Sequence, residues 1–358
     1  MPREARAGAP AAAGASVVRV PVTAPVPVVD GIPYARAGRD ELRTRVSELL
    51  ADGDVDAARV ALLADADDWW DAAPPPDDQL ARVAGAATLR EAMDLLGMGR
   101  VGDYFAHRWS DPTYLAGLAL LQQHWPGDRP VVEVACGAGH FLRELAQRGL
   151  TDLVGVDVVW AKLWLAQRFV CPGARYVCAD VTALPELDVA SPAYVLCHDA
   201  LYFVRDKAAA ARAMRALAGE GGTVVVGHAH VADPHGDPVP AAEYARLLGA
   251  DLAYDDDELT RALLDGRSPR AAPVASLEAS EAVALVAGDP LAPAPHDLGQ
   301  PVGPLRLNPL YEQGALVWPS ERYEQEYGPR SDYLPARAEP LPPDAARRRV
   351  LVDLPERW

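Results

Sequence analysis

The chain reads as an α/β protein built on a doubly wound, mainly parallel sheet, and three observations predict it. From Val131 onward, short β-branched runs recur (VVEV, LVGVD, RYVC, TVVV). Helical stretches alternate with them, and a glycine-rich turn, Gly137-Ala138-Gly139, joins the first run to the first helix. Uninterrupted apolar strands alternating with helices belong to parallel sheets covered on both faces.

The elements follow in order. Met1 to Ser16 is rich in Ala, Gly and Pro and reads as a disordered tail. It lacks the long aliphatic run of a secretory signal. Val17 to Val29 is β-branched and broken by prolines, so it is an edge strand or extended arm. Helical spacing runs from Asp40 to Leu63 with a break at Gly53, then from Gln79 to Leu96 after Pro74-Pro75-Pro76, then from Thr113 to His124. Strands are expected at 131–135, 153–157, 175–180, 193–199, 223–230 and 282–287. Helices are expected at 141–148, 161–169, 207–217, 241–248 and 257–264. Four regions result: an arm over 1–37, a helical N-terminal region over 38–129 that caps the site, the sheet domain over 130–288, and an irregular, aromatic-bearing appendage over 289–358.

Composition bounds the partners. The formal net charge is −17, and the one basic run is Arg347-Arg348-Arg349. Phosphate backbones are held by clustered cations, so no nucleic-acid partner is expected. No apolar run approaches the roughly 18–20 residues of a membrane span, so no membrane partner is expected either. Cys136, Cys171, Cys178 and Cys197 show no CxxC spacing. A reducing, cytoplasmic setting is the expectation. The chain is compatible with a homodimer.

The informative segment is Glu133-Val-Ala-Cys-Gly-Ala-Gly-His140, between a strand and a helix. Glycines there let the backbone turn sharply and approach a ligand. Eighteen residues past Gly139, the second strand ends in Asp157, where a carboxylate can accept from both hydroxyls of a ribose. VEVACGAG, GVD at 155–157, CADV at 178–181, LCHDALYFV at 196–204 and LAGEGGTVVV at 217–226 stand in sequence over about 100 residues. Together they resemble the ordered motifs of class I S-adenosylmethionine-dependent methyltransferases, small-molecule type.

The resemblance implies a seven-stranded sheet, S-adenosylmethionine as cofactor and S-adenosylhomocysteine as product. It implies that Glu133, Gly137, Gly139, Asp157 and Asp180 hold the cofactor, with Val158, Val181 and His198 among its contacts. Two departures stand out: Ala135 replaces the commoner glycine, which trims room in the loop, and Glu133 replaces Asp, a longer reach for the same charge. Tyr104 and Arg108 are similar to the residues that small-molecule members bring over the methionine end, Arg108 as a carboxylate partner. Ordinary helix packing and a surface charge are the alternatives. For Asp157 and Asp180 the alternative is a helix N-cap or solvated loop end.

His198 and Asp199 close the fourth strand of the alternating series, and His228 and His230 close the fifth. In an extended strand His228 and His230 project to one side, so the three imidazoles meet at the acceptor end. Three readings stay open for them. One is a general base or acceptor contact. Another is a metal set with Asp199 or His235. The third is structural hydrogen bonding. The catalytic assignment taken is His198, His228, His230 and Tyr202, with no metal. The acidic run Asp255 to Glu258 reads as a helix N-terminus, and the C-terminal aromatics as pocket cap or interior packing.

The expected activity is methyl transfer to a small-molecule acceptor, in a setting such as specialised metabolism. HDAL at 198–201 stands where amino-methylating enzymes of nucleic acids and proteins carry an Asn-Pro-Pro-Tyr type tetrapeptide. Two other readings keep the fold: non-methyl chemistry on the same cofactor, and a non-catalytic cofactor-binding partner protein.

Overall fold

The structure, a computed structural model, describes residues 25–69, 72–232 and 236–358. The tail over 1–16, residues 17–24 of the proline-punctuated run, and His235 lie outside the described residues.

Seven strands form the main sheet: β1 Val131–Val134, β2 Leu153–Asp157, β3 Arg175–Cys178, β4 Tyr194–His198, β5 Thr223–His230, β6 Leu252–Asp255 and β7 Ala282–Gly288. Their spatial order is β3-β2-β1-β4-β5-β7-β6, with β7 antiparallel to both neighbours and the other pairings parallel. The period of two shows in the packing. Val131, Leu153, Tyr176 and Leu196 enter the core on one face, while Val132, Val154, Val177 and Val195 enter the core on the other. Order reverses between β1 and β4, so a crevice opens at the carboxyl ends of the strands.

The helices are α1 Asp40–Ala51, α2 Val55–Leu63, α3 Asp77–Val83, α4 Leu89–Leu95, α5 Gly99–His107, α6 Pro112–Gln123, α7 His140–Gln147, α8 Trp160–Leu165, α9 Lys207–Ala218, α10 Ala241–Leu248, α11 Asp256–Asp265 and α12 Glu321–Tyr327. Helix α6 is buried all round from Pro112 to Leu121, so it is a core element packed between the sheet and α11. No helix among the described residues is long and apolar enough to cross a membrane.

Several elements differ from expectation. The helix expected over Gln79–Leu96 is two, α3 and α4. The Thr88 hydroxyl accepts from Glu91 N–H and the Glu91 carboxylate accepts from Ala87 N–H, a reciprocal cap that starts a new helix. The expected helix over 161–169 gives way after Leu165 to a π turn over Ala166–Val170. Strand β6 is an addition; its four residues begin exposed and sit between two helices, too short to show a period. Within the segment read as an arm, Val28–Val29 pairs with Ile32–Pro33 as a small hairpin. Tyr34 then bridges Cys178, with Ala35 N–H donating to the Cys178 carbonyl at 2.7 Å.

The appendage ties the two ends of the site together. Asp353 accepts from Arg143 and Gln147 of α7, and Trp358 Nε1 donates to the Ala106 carbonyl of α5 at 3.2 Å. Tyr333 donates to the Ser110 carbonyl at 2.5 Å.

Candidate active site

A cavity of about 1530 Å³ lies along the carboxyl ends of β1, β2, β3, β4 and β5, roofed by α5 and walled by α12. That exceeds the roughly 300–1,000 Å³ of an ordinary single-ligand pocket. There is room for two molecules side by side.

One end is built on the glycine turn. Ala135, Gly137 and Gly139 have φ of 55°, 54° and 80°. For Gly137 and Gly139 this costs little, but a left-handed Ala carries a cost of roughly 1–2 kcal/mol. Replacing glycine at 135 therefore stores strain as well as trimming space. Asp157 is buried and faces this turn: Oδ2 accepts from Gly137 N–H and Oδ1 from Val159 N–H, both at 2.9 Å. Each carboxylate oxygen has two lone pairs, so acceptor capacity remains for a diol. Lys162 Nζ sits 4.0 Å from Asp157 and 3.6 Å from Asp67, linking the α2–α3 connection to this end. The space over Gly137 Cα belongs to the Phe105 ring, which a Cβ there would meet at 3.0 Å.

Midway, Glu133 is buried and its Oε2 meets no hydrogen-bond donor among the described residues. Burial pushes its carboxyl up to about 8, against the pull of Arg108. An orphaned carboxyl oxygen beside a glycine turn and a diol-accepting carboxylate offer the acceptors that the ammonium and ribose hydroxyls of an amino-acid-bearing nucleoside require. The residues fit S-adenosylmethionine.

The other end is organised around Asp199, in left-handed backbone at φ 57°. Tyr104 donates to its Oδ2 at 2.6 Å, Tyr202 to its Oδ1 at 2.9 Å, and Arg108 reaches Oδ2 at 3.3 Å. Burial opposes ionisation of this carboxyl, but His228 and Arg108 hold it below its ordinary value. His228 sits in the β-bulge between Val226 and Ala229, at φ 49°. Such a bulge re-aims a side chain. Its Nδ1–H donates to Asp256 Oδ2 at 2.7 Å, and its Nε2 lies 4.0 Å from Asp199 Oδ1. Burial pushes the imidazole down; Asp256 and Asp199 outweigh it and raise its pKa above the ordinary value.

Residues 131–222, from β1 to the turn before β5, match the family model described as a methyltransferase domain. These residues carry a methyltransferase domain, set in a sheet of the class I S-adenosylmethionine-dependent type.

No curated protein matches the chain in sequence. Solved structures similar to it include CalS10, an amino pentose methyltransferase of Micromonospora echinaspora involved in calicheamicin biosynthesis. It is 27% identical over 34% of this chain and 52% of that one, with a TM-score of 0.29. A TehB-like methyltransferase of Corynebacterium glutamicum is 15% identical over 48% of this chain and 85% of that one, with a TM-score of 0.35. Phosphoethanolamine N-methyltransferase 2 of Haemonchus contortus is 16% identical over 57% of this chain and 61% of that one, with a TM-score of 0.39. The chain thus spans about half the length of the first of these.

In the methyltransferase domain, Glu133, Gly137, Asp157, Val158, Asp180 and Val181 line the common cavity. Gly139 stands behind the turn as the N-cap of α7, against Ala166. Asp180 also caps the 3₁₀ turn over Val181–Ala183, accepting from Thr182 N–H at 2.7 Å. Tyr104, Arg108 and His198 line the same cavity. Tyr104 and Arg108 both bond Asp199, a carboxylate of the chain itself. His198 joins the cluster, its ring 6.1 Å from His228, but it is built into the core. Its Nε2–H donates to the Thr113 carbonyl at 3.0 Å, and its Nδ1 is pressed against Gly227, whose added Cβ would lie 2.2 Å away. Burial, helped by Arg108 and His228, pulls its pKa down to about 3. The ring is therefore held neutral, with Nδ1 meeting no hydrogen-bond partner among the described residues.

Asp256 and Tyr327 reach the site through His228 and Tyr104, and the sequence did not single them out. Asp256 was visible only as part of the acidic helix start, where Asp255 does the capping. Nothing in a separation of 28 residues announces its bond to His228.

Proposed function

We propose that the protein transfers the methyl group of S-adenosylmethionine to a small-molecule acceptor, with His228 as general base and Asp256 as its positioning residue. The observation that carries this reading is the single cavity joining the Asp157 end to the His228–Asp256 dyad. When bound, S-adenosylmethionine supplies an electrophilic methyl on a sulfonium. Glu133, the Gly137 turn and Asp157 bind and orient it; α5 and α12 exclude water. Asp256 fixes the His228 tautomer, leaving the Nε2 lone pair to take the acceptor's proton. Tyr202 and Tyr104 hold Asp199 beside that nitrogen, where it stabilises the imidazolium formed.

Enclosure supports a small acceptor. The Tyr327 ring stacks on Tyr104 at 6.3 Å, and Trp69 meets Phe203 at 5.6 Å across the opening. With a formal charge of −17 the chain offers polyanions little. Neither nucleic acid nor a membrane is part of the proposal, which sets the reaction in the cytoplasm, in specialised metabolism.

The test is incubation of the protein with methyl-labelled S-adenosylmethionine and separate small-molecule, RNA and protein fractions of a cell extract. Label is expected in the small-molecule fraction alone, and to be lost with His228→Ala. Label entering RNA or protein instead would refute the proposal.

A further inference from the structure

We infer that Asp199, His228 and His230 form a binding site for a divalent first-row transition-metal ion. One ligand atom from each lies within 4.8 Å of the other two. Metal–nitrogen and metal–oxygen bonds of about 2.0–2.2 Å ask these atoms to draw together by about an ångström, a side-chain rotation.

Four independent features point the same way. The His228 Nδ1–H is held by the Asp256 carboxylate at 2.7 Å, which turns the Nε2 lone pair toward Asp199. Metal-ligating histidines carry this carboxylate behind the ring. Asp199 is itself hydrogen-bonded by two tyrosine hydroxyls, the outer-shell pattern of a ligating carboxylate. Both Asp199 and His228 hold left-handed backbone, strain that packing maintains at this place. All three residues line the cavity, so a bound ion would keep open positions for water or ligand.

Ligand chemistry sets the class of ion. Two imidazoles and one carboxylate favour Zn²⁺, Co²⁺, Ni²⁺ or Fe²⁺ over Mg²⁺ and Ca²⁺. The surrounding charge is balanced: Arg108 approaches Asp199 at 3.3 Å and Arg330 approaches Asp256 at 3.9 Å. Two guanidiniums against two carboxylates moderate the affinity. Because the ion and the acceptor's proton need the same Nε2, an occupied site blocks methyl transfer; this consequence rests on the function proposed above.

The experiment titrates Co²⁺ into full-length, tag-free, chelator-stripped protein and follows its visible d–d absorption. One saturable equivalent per chain is expected. His230→Ala and the volume-keeping His230→Gln abolish it. Asp256→Asn weakens it about 10–100-fold, and His296→Ala, at an exposed histidine, leaves it unchanged. Absence of d–d bands, or bands that survive both His230 substitutions in protein of unchanged melting temperature, would overturn the site. Binding that leaves methyl transfer intact keeps the site and sinks the role of His228 as base.

Discussion

At His228 a buried imidazole stands between two carboxylates, one holding its Nδ1–H and the other facing its Nε2. Loss of a positioned base costs about 10²–10⁴ in rate. His228→Ala is therefore expected to lower kcat by at least about 10²-fold while the S-adenosylmethionine Kd changes little. His198→Ala should do the reverse. It removes the ring's bond to the Thr113 carbonyl and opens space against Phe141, whose ring is 4.8 Å away. The expected cost is about 2–4 kcal/mol of stability in denaturant melts, with turnover of the folded fraction retained. Glu133 supplies a third prediction. Its carboxyl is raised to about 8 by burial, so the free protein holds it protonated at pH 7 and an arriving ammonium ionises it. Cofactor binding at pH 7 should release a proton, seen as a calorimetric enthalpy that varies with buffer ionisation heat. The sign for stability follows: a carboxyl with a raised folded pKa contributes less as pH rises from 4.5 toward 8 and nothing further changes above. Glu133→Gln removes that slope and weakens cofactor binding. A binding enthalpy independent of buffer, or an unchanged pH slope in the variant, would contradict this assignment.

Among the elements, long or strongly patterned segments were legible and short or re-aimed ones were not. The strands LVGVD and TVVVGHAH and the helix over 241–248 have the bounds their residues suggest. Apolar residues on both faces leave a central strand little choice of place. The bulge in β5 was not legible, because Gly227-His228 looks like any strand pair until β7 pairs beside it. Nor was the role of α12, seven residues whose value lies in placing Tyr327 over Tyr104. Tyr327→Ala opens this wall. The KM for the acceptor should rise about tenfold or more, the 1.4 kcal/mol or so that loss of such an aromatic contact represents, with cofactor affinity held within about twofold. Equal weakening of both ligands would mean that α12 supports the whole cavity instead of its acceptor half.

For the whole molecule, the meeting of the Gly137 turn with Asp157 was legible because it is local: turn and carboxylate lie on consecutive strands. The acceptor end was readable only in part, since α5, β4, β5, α11 and α12 meet there from five separated segments. The C-terminal strap binds these parts together. The Arg143–Asp353 pair has both side chains largely buried, 13% and 5% exposed, and removing one partner of such a pair costs about 3–5 kcal/mol. Asp353→Ala should lower the melting temperature and speed cofactor dissociation, because Gln147 loses the same anchor. An unchanged off-rate would confine the strap to stability. The account as a whole depends on the Gly137 turn and Asp157 facing one bound nucleoside, and calorimetric titration of S-adenosylmethionine into wild-type and Asp157→Asn protein measures this directly. One site per chain in the wild type and affinity at least about tenfold lower in the variant, the 1.4 kcal/mol or more of a charge-assisted hydrogen bond, are the predicted results. No saturable binding in the wild type, or equal affinity in Asp157→Asn, would contradict the account.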